Sequence, residues 1–277
     1  MVHAIMLMMG FCTHHEHFLN GQHICQLWIT VFWRIVRQKF LRKYMYSFKS
    51  KIRYSEVDQN CFLTLDKLID YFQDCSIFHS ESIGLGVDNL METKHCWMLT
   101  AWQIVIDRMP RLTEEVLIST WPYSFRGFNG GRNFQMTDED GNFIARADSQ
   151  WVFVDAMTGH PTRCTDDQIN GYKLEEKMEL PCDAKRIRMP EDCDDRPSFF
   201  VRKDQIDTNH HVNNGQYVKM ALEELTENIE VHQLRAEYRR QAVLGDEIFP
   251  KVKHEDGVWT VFLCNEEGKP YSTVEIQ

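Results

Sequence analysis

One order of elements occurs twice along this chain, and any fold must accommodate both copies. Each copy opens on a short polar string, passes into a helical pattern and ends in a run of strands. The later string is Asp207-Thr208-Asn209-His210-His211-Val212-Asn213-Asn214-Gly215-Gln216-Tyr217. The earlier one is Tyr54-Ser55-Glu56-Val57-Asp58-Gln59-Asn60-Cys61-Phe62-Leu63, where Asp58 and Asn60 take the places of Asp207 and Asn209 and Phe62 replaces His211. So few matching letters carry little weight, and the duplication rests on the shared order of elements. Downstream of Thr64, a suitable N-cap, Leu65, Leu68, Ile69, Phe72 and Cys75 recur at three and four residue intervals; Val218, Ala221, Leu222 and Leu225 repeat that pattern. Strands are predicted at 97–107, 115–123, 131–138 and 143–155, then again at 234–242, 247–254, 258–265 and 270–276. Turn signals such as Asp138-Glu139-Asp140-Gly141 and Glu255-Asp256-Gly257 separate them. A helix followed by mostly antiparallel strands predicts an α+β fold, with a sheet wrapped around a central helix in each half.

The chemistry is expected in the later string. If residues 207–211 are extended, alternate side chains share a side, so Asp207, Asn209 and His211 can converge on one point. The helix that follows would aim its N-terminal amides and positive dipole end at the same place, where charge on a reacting carbonyl oxygen could be stabilised. That combination suits acyl transfer to water. Asp207 and Asn209 alone would read more simply as turn and cap formers, and the histidine tips the balance towards a site. His210 reads as a solvent-facing neighbour, Glu223 and Glu224 as a solvated face, and Asn213 and Asn214 as caps first and substrate contacts second. An apolar acyl chain needs a cavity, for which Met98, Trp102, Ile69 and Phe72 are candidates, although core packing explains the same residues.

These segments resemble the plant and bacterial acyl-acyl carrier protein thioesterases, which are tandem hot-dog proteins. The resemblance covers about residues 45–277. It rests on the Asp-x-Asn-x-His-Val-Asn-Asn-x-x-Tyr string at 207–217 and on Glu237-Tyr238-Arg239-Arg240, with Ile52-Arg53-Tyr54-Ser55-Glu56-Val57-Asp58 and Trp151-Val152-Phe153-Val154-Asp155 as weaker landmarks. It implies a double hot-dog, with an N-terminal acyl-binding half at 45–179, a linker at 180–197 and a catalytic half at 198–277. It also implies hydrolysis of an acyl-carrier thioester in fatty acid biosynthesis. Plant members carry Glu-Cys after the Tyr-Arg-Arg segment, whereas Gln241 and Ala242 stand here, so a cysteine nucleophile is excluded at that place. Direct attack by water is then the simplest route. His211 is the preferred base, Asp207 the orienting group or alternative base, and Asn209 a positioning group; Gln241 can hydrogen-bond but cannot act as a base.

Composition fits a soluble cytoplasmic enzyme that needs no cofactor or metal. The nine cysteines form no short paired motif, which favours reduced thiols. Residues 1–44 stand apart. They hold His3, His14, His15, His17 and His23, the apolar run Ile24–Val36, and then Arg37, Lys39, Arg42 and Lys43. The run is too short and too interrupted to span a bilayer, and its charges lie on the wrong side for a signal peptide. We expect an upstream extension of the reading frame with Met45 as the working start, ahead of a surface anchor or a metal site at Cys12, His14, His15, His17, His23 and Cys25. Without this basic tail the body is more acidic than the chain's overall −10, which argues against nucleic acid as a partner. Acyl carrier protein is itself acidic, as the resemblance implies, so docking needs a local positive patch, for which Arg235, Arg239 and Arg240 are the candidates. No stable membrane insertion is expected, and the chain should act as a monomer or homodimer. Two other functions are weighed: a hot-dog hydratase or dehydratase, whose Asp-x-Asn-x-x-His spacing is one residue longer, and a non-catalytic acyl-thioester binder, suggested by Gln241.

Overall fold

The computed structural model describes residues 44–181, 186–226 and 229–277. The expectations for residues 1–43 lie outside them. Eleven strands form one sheet: β1 (Tyr46–Lys51), β2 (His95–Ile106), β3 (Glu115–Arg126), β4 (Asn129–Thr137), β5 (Phe143–Asp155), β6 (Asp194–Asp195), β7 (Phe199–Phe200), β8 (Gln233–Tyr238), β9 (Glu247–Glu255), β10 (Val258–Cys264) and β11 (Pro270–Ile276). Their order is β1-β3-β4-β5-β2-β8-β11-β10-β9-β6, with β7 also on β9. All the registered pairs are antiparallel. Helices α1 (Leu65–Ser82) and α4 (Asn214–Glu223) belong to the two halves, and α2 (Val87–Thr93) and α3 (Asp166–Gly171) are short additions to the first.

Helix α1 forms where the apolar spacing places it. Leu65, Leu68, Ile69, Phe72 and Cys75 make one stripe, and every one is buried. Each large apolar side chain removed from water contributes about 1.5–3 kcal/mol, which outweighs the weak helix propensity of Ile and Phe. Thr64 has the extended backbone of an N-cap, and Gly84, at φ +73°, turns the chain away at the other end. Trp102 from β2 and Phe134 from β4 close on Phe72, with ring centroids 6.1 and 5.4 Å away. Truncating Phe72 to Ala would leave a cavity costing about 3–5 kcal/mol.

The halves join through β2 and β8. Gln103 pairs with Arg235, Trp102 with Ala236 and Ile104 with Leu234. The interval from Gln103 to Arg235 also separates Trp102 from Leu234 and Ile104 from Ala236, so each half donates the same strand to the seam in the opposite direction. This is the geometry of a two-fold dimer, realised within one chain. The expected linker also does more than connect. Among its described residues, β6 adds to the edge strand β9, Asp192 and Asp195 pair with Lys253 and Lys251, and Ile187 and Cys193 pack on Phe262 and Cys264. Among the described residues no helix is long and apolar enough to cross a membrane.

Candidate active site

Residues 207–211 form a tight turn, not the extended segment expected from their alternation. The Asp207 amide donates to the His211 carbonyl (2.8 Å), and the His210 amide donates to the Asp207 carbonyl (3.1 Å). His210 sits at φ +64°. The cause is the Asp207 carboxylate, which captures its own backbone. Oδ1 accepts from the amides of Asn209 (2.8 Å) and His211 (3.2 Å), while Oδ2 accepts from the Asn209 side chain (3.4 Å). An aspartate followed by an asparagine two residues on can form this local loop without a partner strand. The three residues still belong to one small turn, in which the Asp207 carboxylate binds the Asn209 side chain and the His211 backbone.

The earlier string repeats the backbone bonds of this turn. Asp58 Oδ1 accepts from the amides of Asn60 (2.8 Å) and Phe62 (3.0 Å), the Asp58 amide donates to the Phe62 carbonyl (2.8 Å), and Cys61 sits at φ +64°. A short 3-10 turn precedes each aspartate, at Tyr54–Glu56 and at Lys203–Gln205. In the first the Arg53 amide donates to the Glu56 side chain, and in the second the Arg202 amide donates to Gln205. The segments behind the turns match as well. Leu63 donates to the Pro110 carbonyl and Val212 to that of Ala242, each at 2.9 Å. The amides of Arg111 and Val243 donate to the side chains of Glu114 and Asp246. The correspondence ends at His211, whose ring has a phenyl in its place in the first half.

His211 is half-buried, and its buried Nδ1 has no hydrogen-bond partner among the described residues. An imidazole so placed can take or give a proton. Asn209 is exposed. Gln241 is also exposed, and it lies beside the turn because the Val212 amide bonds the carbonyl of the next residue, Ala242. Asn213 and Asn214 are committed to structure. Asn213 caps α4 by accepting from the Gly215 amide (2.8 Å), and its carbonyl accepts from the Gln216 amide (2.9 Å). Those two amides therefore do not face a substrate. The Asn214 side chain donates to Gln73 of α1 (2.8 Å).

Two tyrosines that the sequence reading left without a role hold this assembly. The buried Tyr217 hydroxyl accepts from the Ala242 amide (2.8 Å), and Tyr238 on β8 donates to the Asn214 carbonyl (3.0 Å). Burial raises both phenols far above their ordinary pKa, so they stay protonated. Their signal lay in the quoted strings themselves, as the last residue of one and the second of the other.

A model of the acyl-ACP thioesterase N-terminal domain matches residues 43–172, and one of the C-terminal domain matches residues 190–277. The chain belongs to the acyl-ACP thioesterase family. It is 26% identical over 218 residues to a chloroplastic palmitoyl-acyl carrier protein thioesterase of Gossypium hirsutum, covering 71% of this chain and 52% of that one. It is 27% identical over 224 residues to oleoyl-acyl carrier protein thioesterase 2 of Arabidopsis thaliana, covering 73% and 61%. The chain thus spans only about half to three fifths of these plant relatives. Among solved structures, an acyl-ACP thioesterase from Bacteroides thetaiotaomicron superposes with a TM-score of 0.76 at 22% identity, covering 85% of this chain and 98% of that one. The 12:0-ACP thioesterase from Umbellularia californica gives 0.75 at 17%, covering 84% and 96%. These superpositions establish the fold as the double hot-dog.

Within this acyl-ACP thioesterase family member, two other groups of expected site residues are placed differently from the sequence reading. Ile69, Phe72 and Trp102 are core residues with at most 2% exposure. None of them lines the cavity of about 50 Å³ in the first half, whose wall is made instead by residues such as Ser76, Ser80, Trp97 and Tyr172. Met98 is the neighbour of Trp97 on β2 and points to the opposite side of the sheet. The sequence count put Met98 with Trp102 because it could not include the bulge between Leu99 and Ala101, which resets the alternation. Of the three arginines, Arg235 pairs with Glu275 (3.2 Å) and Glu237 (3.9 Å). Arg239 pairs with Glu237 (2.6 Å) and donates to the Ile187 carbonyl (3.0 Å). Their charge is spent on Glu237 and, for Arg235, on Glu275 of β11, and Arg240 alone of the three is exposed. Among the described residues no group of His, Cys, Asp and Glu is arranged to hold a metal.

Proposed function

We propose that this protein hydrolyses the thioester of an acyl chain carried on acyl carrier protein, releasing the fatty acid, with His211 as the base. The observation that carries the reading is the pair of family matches, in order, over 43–172 and 190–277. The local geometry supports the division of labour. His211 removes a proton from water as the water oxygen attacks the carbonyl carbon. The tetrahedral adduct then collapses with rupture of the C–S bond, and the imidazolium returns the proton to the departing sulfur, leaving a carboxylic acid and the carrier thiol. Asp207, already bound to three N–H groups, acts by fixing the turn that presents His211, and exposed Asn209, whose amide nitrogen is held by Asp207, meets the water or the carbonyl with its remaining hydrogen-bonding capacity. Gln241 flanks the turn as a hydrogen-bonding group. The enzyme works in the cytoplasm, in fatty acid biosynthesis, and exposed Arg240 is its first contact with the acidic carrier.

The test is to incubate the purified protein with carrier-bound acyl thioesters of several chain lengths and to measure free thiol and free fatty acid together. Equimolar release of both is expected. Binding without release would replace the enzyme with a carrier-acyl binding protein, and hydration of an enoyl thioester would replace it with a hydratase.

A further inference from the structure

Arg132 in β4 is a buried cation with no anion beside it. It is 7% exposed, and among the described residues no carboxylate lies within ion-pair distance. Its Nη1 donates to Nδ1 of His79 (3.0 Å) and to the Thr120 hydroxyl (3.3 Å), and the guanidinium lies 5.2 Å from the Tyr172 ring centroid. Because arginine can only donate, His79 must be a neutral acceptor with its proton on Nε2. Tyr46 stacks on the same imidazole at 5.5 Å. A buried guanidinium is ordinarily matched by a carboxylate, since burial of an unmatched charge opposes folding.

Arg132 is among the residues lining the cavity of about 50 Å³, whose wall also carries Ser76, Ser80 and Tyr172, and its guanidinium lies over the ring of that same Tyr172. The Ser80 and Tyr172 hydroxyls are bonded to each other (2.6 Å). Trp97 and Phe125 complete the wall with apolar surface. An acyl chain of hydrogen and carbon alone would satisfy the two rings and bring no oxygen acceptor to the guanidinium. Ser76 and Ser80 lie one to two helical turns beyond Gln73, the α1 residue bonded to Asn214. The cavity therefore stands about 5–10 Å further along α1 from the start of α4.

We infer that this cavity selects acyl chains bearing an oxygen acceptor, a hydroxyl or a carboxylate, at a carbon remote from the thioester, with Arg132 as the specificity-determining donor. The inference rests on the thioesterase reading above. An acceptor at this place brings the buried cation a charge-assisted hydrogen bond, which an unsubstituted chain cannot supply. A site built around such a donor discriminates against the analogue that lacks the acceptor.

The experiment uses thioesters of one chain length, unsubstituted or carrying a hydroxyl or carboxylate at successive carbons, together with calorimetric binding of the matching free acids. The oxygenated substrate with its substituent at the cavity should exceed the unsubstituted one in kcat/KM by about tenfold to a hundredfold, as for a hydrogen bond to a charged group. Arg132→Met should bring that ratio close to one. Ser76→Val, which narrows the cavity and leaves the arginine in the sequence, should do the same and serves if Arg132→Met does not fold. Equal turnover of all substrates, or a preference that survives both changes, overturns the inference and leaves the thioesterase reading standing. If no thioester is cleaved, that reading fails, and the calorimetry decides this one. Tighter binding of oxygenated acids that is lost in the variants upholds it, and equal binding overturns it.

Discussion

The turn at Asp58 and the turn at Asp207 are the same structure with different contents. Both are closed by an aspartate that accepts two backbone amides, both pass through a positive φ, and both run into a helix. One ends in Phe62, packed under the Arg111 guanidinium at 5.2 Å. The other ends in His211 with a buried ring nitrogen that the described residues leave without a partner. The comparison separates what the turn does for the fold from what it can do for a reaction. Because Asp58 performs the same bonding where no imidazole exists, the bonding of Asp207 is architectural, and any catalytic contribution it makes passes through the placement of His211.

Paired substitutions test that separation. Asp207→Ala and Asp58→Ala should each lower stability by about 1–2 kcal/mol, the usual cost of losing a side chain that caps backbone amides. Only Asp207→Ala should also reduce turnover, by about a hundredfold, as misplacing a catalytic group costs. Denaturant melts and steady-state rates on the two proteins decide it. Equal losses of rate would mean that the first turn also serves the reaction.

The next contrast is in the acid response. Burial first, and then the charge of Arg132, push the pKa of His79 down to about 3. An unfolded histidine titrates near about 6.5. Between those values the unfolded chain binds a proton that the native protein refuses, so stability falls as pH drops from about 6.5 towards 3. Urea unfolding at pH 7, 5 and 4 should show this slope, amounting to a few kcal/mol. His79→Gln, which keeps an acceptor for Arg132, should flatten it.

The smallest expected effect concerns docking. Arg240→Glu should raise KM for carrier-bound substrate by about threefold to tenfold at low salt and leave a short synthetic thioester unaffected. Arg239→Glu should instead break its bonds to Glu237 and Ile187 and lower the melting temperature. A selective KM effect at Arg239 with an unchanged melt would reverse that assignment.

Much of the scaffold was legible because it follows from local periodicity. The strand expected at 270–276 is β11, that expected at 247–254 is β9 with one residue more, and the stripe after Thr64 became α1. The site was legible as a set of residues but not as a geometry. Asp-x-Asn-x-His reads equally as an alternating strand and as an aspartate-closed turn, and only the backbone shows which. The bulge between Leu99 and Ala101 has no glycine to announce it, so the face count through Met98 failed. Likewise, an Arg-x-Glu-x-Arg pattern on β8 looks basic when counted along the chain. In the fold, Glu237 neutralises the arginines on either side of it, one within β8 and one just beyond its end.

The central claim, that the later turn alone performs the chemistry, is met most directly by giving it the content of the earlier one. His211→Phe should fold with an unchanged melting temperature and lose about a hundredfold to ten-thousandfold of its thioester turnover, the range expected when a general base is removed. Turnover within a few-fold of the unaltered protein would contradict the account.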